Sequence, residues 1–493
     1  MSELYKNFIN SQWIESKSGA TFESRNPATG EVLGVCARSN AEDVEAAVEA
    51  AVHAFDLWRK TPAPRRAEIL FRAAEIMLRR KESLAQLVTN EMGKVIAEGR
   101  GDVQEAIDMT YYMAGEGRRQ FGLVAPVELP NKFGMCVRDP IGVVGAITPW
   151  NFPTAIPCWK LMPALVLGNT VVFKPAEDTP LCAAALIAIL EEAGLPPGVV
   201  NLVLGSGEEV GAPIVEHPKT ACISFTGSNE VGRQIAIKCA QLGKRLHLEM
   251  GGKNAIIVMD DADLDLAMDG IVWSAFGTSG QRCTAASRII THQAVKNQLT
   301  ERLVDRAAGL RLGYGLLPDV DMGPVVNEQA LEKIHGYVMI GVQEGAKKLI
   351  GGERASDGDL AKGFFYKPTV FEATPDMRIS QEEIFGPVTN VIPVRSLEEA
   401  IAVNNNVRYG LSTSIFTRNV NRAFEAIRDV STGILYINAG TIGAEVHLPF
   451  GGTRGTGNGH REAGQQALDT FSEWKSVYVD YSGRLQRAQI DVE

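Results

Sequence analysis

Between residues 41 and 118 apolar residues recur at helical spacing, Ile69, Ala73, Ile76, Leu84 and Leu87 among them, in Ala-, Glu- and Arg-rich stretches with few breakers after Pro64. A period of this kind predicts amphipathic helices suited to covering a sheet. From Gly142 the pattern changes. Short β-branched runs at Val143–Ile147, Thr170–Phe173, Val199–Leu204 and Ala221–Phe225 alternate with helix-like stretches at 180–194 and 208–216, which predicts βαβ units and a parallel sheet. A second alternating region starts at Ala255–Val258 and continues through Arg288–Thr291, Pro368–Phe371, Thr389–Val394, Thr413–Phe416 and Gly433–Ile437. Two α/β lobes follow. The segments 121–140 and 474–484, the latter with Trp474, Val477, Val479 and Tyr481 largely in alternation, read as strands of neither lobe. Strands left without a lobe of their own commonly pair across subunits.

Composition narrows the class. The 493 residues are 45% hydrophobic and 22% charged, which fits a globular protein of about three domains and excludes a disordered or small stapled chain. Lys and Arg number 49 against 59 Asp and Glu, and the net charge of −10 disfavours a general nucleic-acid or anionic-membrane surface. Seven cysteines without a C-x-x-C pair argue for a reducing compartment and against a disulfide or zinc framework. The opening Met-Ser-Glu-Leu-Tyr-Lys lacks a signal pattern, and the run Cys182 to Leu190 is too short to span a bilayer, so a cytoplasmic protein is expected. No metal site is expected, because no H-E-x-x-H occurs and the histidines are dispersed.

Several short motifs carry candidate chemistry. Cys283 lies in Gly277-Thr-Ser-Gly-Gln-Arg-Cys283, after the apolar helical run 264–276; glycines admit a ligand and Arg282 would favour the thiolate. An inert buried cysteine is the plain alternative. Glu249 alternates with Leu246, His247 and Leu248 as on a strand and precedes Gly251 and Gly252, where it could activate a water or be an ordinary solvated carboxylate. Pro149-Trp-Asn151-Phe-Pro153 forms a rigid loop at a strand end, with Asn151 able to donate to an oxyanion or simply to stiffen a turn. Phe173-Lys-Pro-Ala-Glu177 closes the next strand. Two near misses of G-x-G-x-x-G, Gly205–Gly211 and Gly227–Gly232, each join a strand to a helix.

Taken together, Pro149–Pro153, Lys174–Glu177, Phe225–Gly232, Leu248–Lys253, Gly280–Cys283, Glu383–Pro387 and Pro449–Gly452 resemble, in order and spacing, the motifs of the NAD(P)-dependent aldehyde dehydrogenase superfamily over residues 7 to 480. The resemblance implies an α/β fold of two Rossmann-like open-sheet lobes plus a small β oligomerisation element. The domains would be an NAD-binding unit at 1–120 and 141–251, a catalytic unit at 252–451, and oligomerisation strands and tail at 121–140 and 468–493. Carried over residue by residue, Cys283 is the nucleophile, Glu249 the base, and Asn151 the side-chain half of an oxyanion hole whose other half is the Cys283 backbone N–H. Thr148, Pro149 and Trp150 form the cofactor loop, Lys174 and Glu177 hold the adenosine ribose, and Gly227 and Ser228 lie at the pyrophosphate. Glu383 and Phe385 lie at the nicotinamide end, Gly252 is a further cofactor-binding residue, and Gly205–Gly211 is taken as a turn. Glu177 accepts from ribose hydroxyls and repels a 2′-phosphate, so NAD is the expected cofactor, with Lys174 leaving room for NADP.

The resemblance extends to the α-aminoadipic semialdehyde type, in which Glu105, Arg282 and the amides of Gly443 and Ala444 would grip the polar end of a small-molecule semialdehyde, and, through Tyr111–Gly117, Cys158–Leu161 and Leu248–Asn254, to bacterial α-ketoglutaric semialdehyde dehydrogenases. Trp150 and Lys253 depart from the α-aminoadipic pattern, where Phe and Asn are usual. Arg282 equally suits tuning of the thiol or surface packing. The implied assembly is a homodimer or homotetramer. Two other functions compete: a CoA-acylating dehydrogenase, which usually lacks the base that Glu249 supplies, and a catalytically silent scaffold, which would not need Cys283, Glu249 and Asn151 together.

Overall fold

The structure is a computed structural model that describes residues 4–491. Two seven-stranded sheets form its core. In the first, the spatial order is Arg245–Met250, Thr220–Gly227, Val143–Ile147, Thr170–Lys174, Val200–Leu202, Asn7–Ile9, Gln12–Ile14. The first five strands are parallel and the last two are added antiparallel. Val143–Ile147 and Thr170–Lys174 are buried along their whole length, which explains their unbroken apolar runs. Four helices, Ala41–Lys60, Ala63–Arg79, Lys81–Met92 and Ile96–Glu116, account for the amphipathic region and pack with Ala155–Leu167 and Pro180–Glu192 around this sheet.

The second sheet runs Lys347–Ile350, Thr369–Glu372, Val388–Val394, Ala286–His292, Asn254–Val258, Ser412–Phe416, Ile434–Ile437, with only the first strand antiparallel. The predicted runs therefore become strands of two parallel sheets, and the chain crosses between them at Met250–Asn254.

Lys132–Pro140 pairs antiparallel with Ser472–Asp480 along nine residues, with Leu123–Ala125 on its other side. The lobe-less strands thus find each other within the chain. The start of the tail behaves differently: Leu468 and Phe471 are buried in the core of the first lobe, and Asn169 donates to the Phe471 carbonyl at 2.8 Å. A small sheet of Leu4–Tyr5, Val32–Ala37 and Thr21–Arg25 was not anticipated. Gly205–Gly211 is not a plain turn: Ser206 caps a π-helical stretch, Gly207–Gly211, that runs into Ala212–Glu216. Among the described residues no helix is long and apolar enough to cross a membrane.

Candidate active site

In the first sheet the chain runs outward from Val143–Ile147 through Thr170–Lys174 to Val200–Leu202, then returns to place Thr220–Gly227 on the opposite side. That reversal opens a crevice beyond the carboxyl ends of the strands, the usual ligand position in an open α/β sheet. Thr148–Asn151, Lys174–Glu177, Gly227–Ser228 and Glu249–Gly252 all leave strands at this end. The second lobe faces them with the loop that carries Cys283.

That loop is tightly constrained. Thr278, Ser279 and Gly280 all adopt positive φ, at 52°, 55° and 70°. A Cβ on Gly280 would lie 2.1 Å from the Gly386 carbonyl oxygen. Gln281, fully buried, is anchored by its side chain to the Thr278 carbonyl and the Val326 N–H. Asn151 Nδ2 donates to the Gln281 carbonyl at 3.1 Å, so the amide is held two residues from Cys283.

Cys283 is partly exposed, whereas five of the other six cysteines are buried. Its thiol is pushed well above the usual range by burial, then by the carboxyls of Glu249, Glu383, Glu462 and Glu105. The expectation that Arg282 favours the thiolate is therefore corrected. Arg282 turns away, donating to Thr278 Oγ1 at 2.8 Å and to Glu98 at 3.1 Å, with its guanidinium over the Trp273 ring. Carboxyls, not the arginine, set the field at the sulfur.

Glu249 is not on a solvated strand face. It is buried, and neither oxygen accepts a hydrogen bond among the described residues. Burial raises its carboxyl well above the ordinary range, Glu462 adds to the effect, and Lys160 and Arg461 oppose it. Gly451 explains one glycine of the Pro449–Gly452 motif: a Cβ there would lie 2.5 Å from Glu249 Oε1. Behind Glu249 lies a buried group that the sequence reading missed. Lys160 pairs with Glu462 and donates to Ser224 Oγ at 3.2 Å. His247 lies 3.1 Å from that hydroxyl. One signal did exist, since Lys160 is the only charged residue in the apolar helix Ala155–Leu167. Glu462, in a glycine-rich loop, offered none.

Glu383, another of the carboxyls that act on the thiol, accepts from the Gly252 N–H at 2.9 Å and fills the space that a Gly251 side chain would take. Phe385 adopts φ 61° and meets Trp150 edge to face at 5.6 Å between ring centroids. Pro149, between Thr148 and Trp150, keeps that loop stiff. Lys174 Nζ donates to Glu177 at 2.9 Å, with the lysine buried and Glu177 half-exposed. Ser228 caps the helix Asn229–Leu242, at whose positive end an anion is favoured. Thr148 Oγ1 is buried without a partner. Lys253 is likewise buried with an unpartnered Nζ; burial and Arg288 lower it to about 7.

Of the residues expected at the substrate, Glu105 projects from Ile96–Glu116, where burial and Asp102 raise it to about 8 against the charges of Lys94 and Arg282. Lys94 is itself paired with Asp102 at 3.0 Å and lies over the Phe152 ring. Gly443 is exposed at φ 116° with open space around its Cα, and Ala444 packs against the first lobe.

Comparison with known proteins places this geometry. The model of the family described as "Aldehyde dehydrogenase family" matches residues 13–477. Alpha-ketoglutaric semialdehyde dehydrogenase of Bacillus subtilis is 44% identical over 96% of this chain and 98% of its own. Alpha-ketoglutarate semialdehyde dehydrogenase of Haloferax volcanii is 42% identical over 98% of this chain and 100% of its own. The crystal structure of betaine aldehyde dehydrogenase from Staphylococcus aureus in complex with NAD+ superposes with a TM-score of 0.95 at 34% identity, covering 97% of this chain and 95% of that one.

Proposed function

The chain belongs to the aldehyde dehydrogenase family, whose members are aldehyde-oxidising oxidoreductases, and from that premise we propose that it converts a carboxylate-bearing semialdehyde to the acid with NAD as acceptor. The observation that carries the reading is a partly exposed thiol at the crevice, flanked by the anchored amide of Asn151 and by a buried carboxyl with both oxygens free.

Cys283 Sγ adds to the aldehyde carbon. Its proton leaves to the solvent that reaches the partly exposed sulfur, and Glu249 is kept as the base for the hydrolytic half of the reaction. The oxygen that becomes negative is met by Asn151 Nδ2 and the Cys283 N–H, each such donor contributing about 3–4 kcal/mol at the transition state. A bound nicotinamide dinucleotide supplies the hydride acceptor. The product on the enzyme is a thioester at Cys283. Glu249 then takes a proton from water, the water oxygen bonds the acyl carbon, and the C–S bond breaks to release acid and regenerate the thiol.

The residues present fit a dinucleotide. The Lys174–Glu177 pair would suit ribose hydroxyls, Ser228 at its helix end a pyrophosphate, the unpartnered Thr148 Oγ1 a further polar contact, and Glu383, which accepts from the Gly252 N–H, a second ribose. Glu177 would repel a 2′-phosphate, which favours NAD over NADP.

The carboxylate on the substrate is supported by the names of the two relatives and by Arg282, whose Nη1 has no acceptor among the described residues. Glu105, Gly443 and Ala444 would complete that end of the site. The three-stranded sheet leaves Trp474, Tyr478 and Val124 exposed at 48%, 70% and 70%, which supports a homodimer or homotetramer built through it. All seven cysteines are free, in keeping with a reducing cytoplasm.

The test is a kcat/KM panel with NAD and NADP over α-ketoglutaric, succinic, glutaric and aminoadipic semialdehydes beside propanal and benzaldehyde. The expected result is NAD-linked oxidation to free acid, with or without added coenzyme A, strongest for a semialdehyde acid. Cys283→Ala should abolish turnover and keep NAD binding. A preference for neutral aldehydes would overturn the substrate class, and substantial activity in Cys283→Ala would overturn the mechanism.

A further inference from the structure

His247 stands across from Ser224 in the register of two parallel strands and two residues before Glu249 on its own. Every side chain in this group is at most 5% exposed: Lys160, Ser224, His247, Glu249 and Glu462. The ring reaches three of them. Nδ1 lies 3.1 Å from Ser224 Oγ and 3.6 Å from Glu462 Oε1, and Nε2 lies 3.8 Å from Glu249 Oε1 with no hydrogen-bond partner among the described residues.

The donors in this group can be followed in one direction. A lysine ammonium offers only donors, so at the Ser224 hydroxyl Lys160 must be the giver and the oxygen the acceptor. The hydroxyl hydrogen is then free to point at His247 Nδ1. A ring that accepts at Nδ1 and is neutral carries its hydrogen on Nε2, the atom that faces Glu249.

We propose that His247 is a positioning residue for the hydrolytic half of the reaction, its tautomer set by Lys160 and Ser224 so that Nε2–H holds Glu249 as the proton-accepting carboxylate. The inference rests on the role of Glu249 as base. A movement of roughly 1 Å closes the 3.8 Å separation to hydrogen-bond length. The resulting bond favours the ionised carboxyl and so counters the burial that raises it. The other groups facing the ring act together to keep it neutral: burial, Lys160, His460 and Arg461 all lower its basicity, while Glu462 and Glu249 are the carboxyls beside it. His460 meets it edge to face at 6.2 Å.

A p-nitrophenyl acetate assay isolates the step, because the ester acylates Cys283 without cofactor, the first equivalent of nitrophenolate reports acylation, and the steady rate reports hydrolysis. His247→Ala should leave the burst, slow the steady rate about tenfold and raise the midpoint of its acid limb by about one pH unit. His247→Gln, whose amide can donate from the place of Nε2, should recover most of both. Ser224→Ala, which releases the tautomer, should move the midpoint the same way by less. An unmoved midpoint in Ser224→Ala, or His247→Gln as impaired as His247→Ala, would overturn the proposal; the first comparison needs no folded His247→Ala. Glu249→Gln serves as the separate control: a full burst with slow hydrolysis upholds the base, and unimpaired hydrolysis would remove the base itself rather than the histidine alone.

Discussion

Removing one charge behind the base should make the enzyme work at lower pH. Glu462 and Glu249 lie on opposite sides of the His247 ring, with contacts of 3.6 Å and 3.8 Å to its two nitrogens. At roughly 8 Å and an effective dielectric of about 20, one negative charge raises its neighbour by about 2 kcal/mol, or about 1.5 pH units. Glu462→Gln deletes that charge and keeps an oxygen to accept from Lys160. The lysine, no longer neutralised, then acts on Glu249 in the same direction. The sign follows: the raised Glu249 carboxyl is neutral below its midpoint and active above it, so lowering it shifts the acid limb of hydrolysis down by one to two pH units by the same estimate. Disrupting a buried ion pair costs stability as well, about 3 kcal/mol, visible as a lower Tm. The steady rate of ester hydrolysis measured from pH 5 to 9 provides the assay. A limb that stays in place or moves upward would refute the electrostatic argument, provided that the limb disappears in Glu249→Gln.

Two other outcomes follow from the same geometry. Alkylation of Cys283 by iodoacetamide should rise about tenfold per pH unit from pH 7 to 9, because burial and carboxyls hold the free thiol protonated; a plateau below pH 8, located by peptide mapping, would show a thiolate that this site does not favour. Gly280→Ala should lower stability by about 2 kcal/mol or more and impair turnover, since φ is 70° and the new Cβ would lie 2.1 Å from the Gly386 carbonyl oxygen. An unchanged Tm would mean that the loop relaxes freely.

The strands that were legible are those whose burial leaves a simple mark. Val143–Ile147 is buried on both faces, so its apolar run and its hydrogen-bonded span coincide. The helix Leu264–Phe276 likewise matches its apolar run. Asn7–Ile9 and Gln12–Ile14 were not legible: each has three residues, the second is only partly buried, and both owe their place to the edge of a sheet whose next strand lies nearly 200 residues away. Short strands of this kind are held by the sheet rather than by their own pattern.

The site shows the same division more sharply. Cys283, Glu249 and Asn151 stand out by the company they keep in the chain, but the charge states of the thiol and the carboxyl depend on residues far from them in sequence. Arg282 is the immediate neighbour of Cys283 and was read as its activator, yet its guanidinium answers to Glu98, 184 residues distant. Glu462, whose charge reaches the base, is 302 residues from the lysine that neutralises it. Sequence adjacency fixes the Cα atoms of neighbours about 3.8 Å apart and leaves a long arginine free to point elsewhere. Coulomb energies follow the separation of the charged ends, so the group beside a nucleophile in the chain need not be the group that sets its reactivity. Here that part falls to four carboxyls drawn from both lobes and the loop after them, and with burial they hold the resting sulfur as a thiol rather than a standing thiolate.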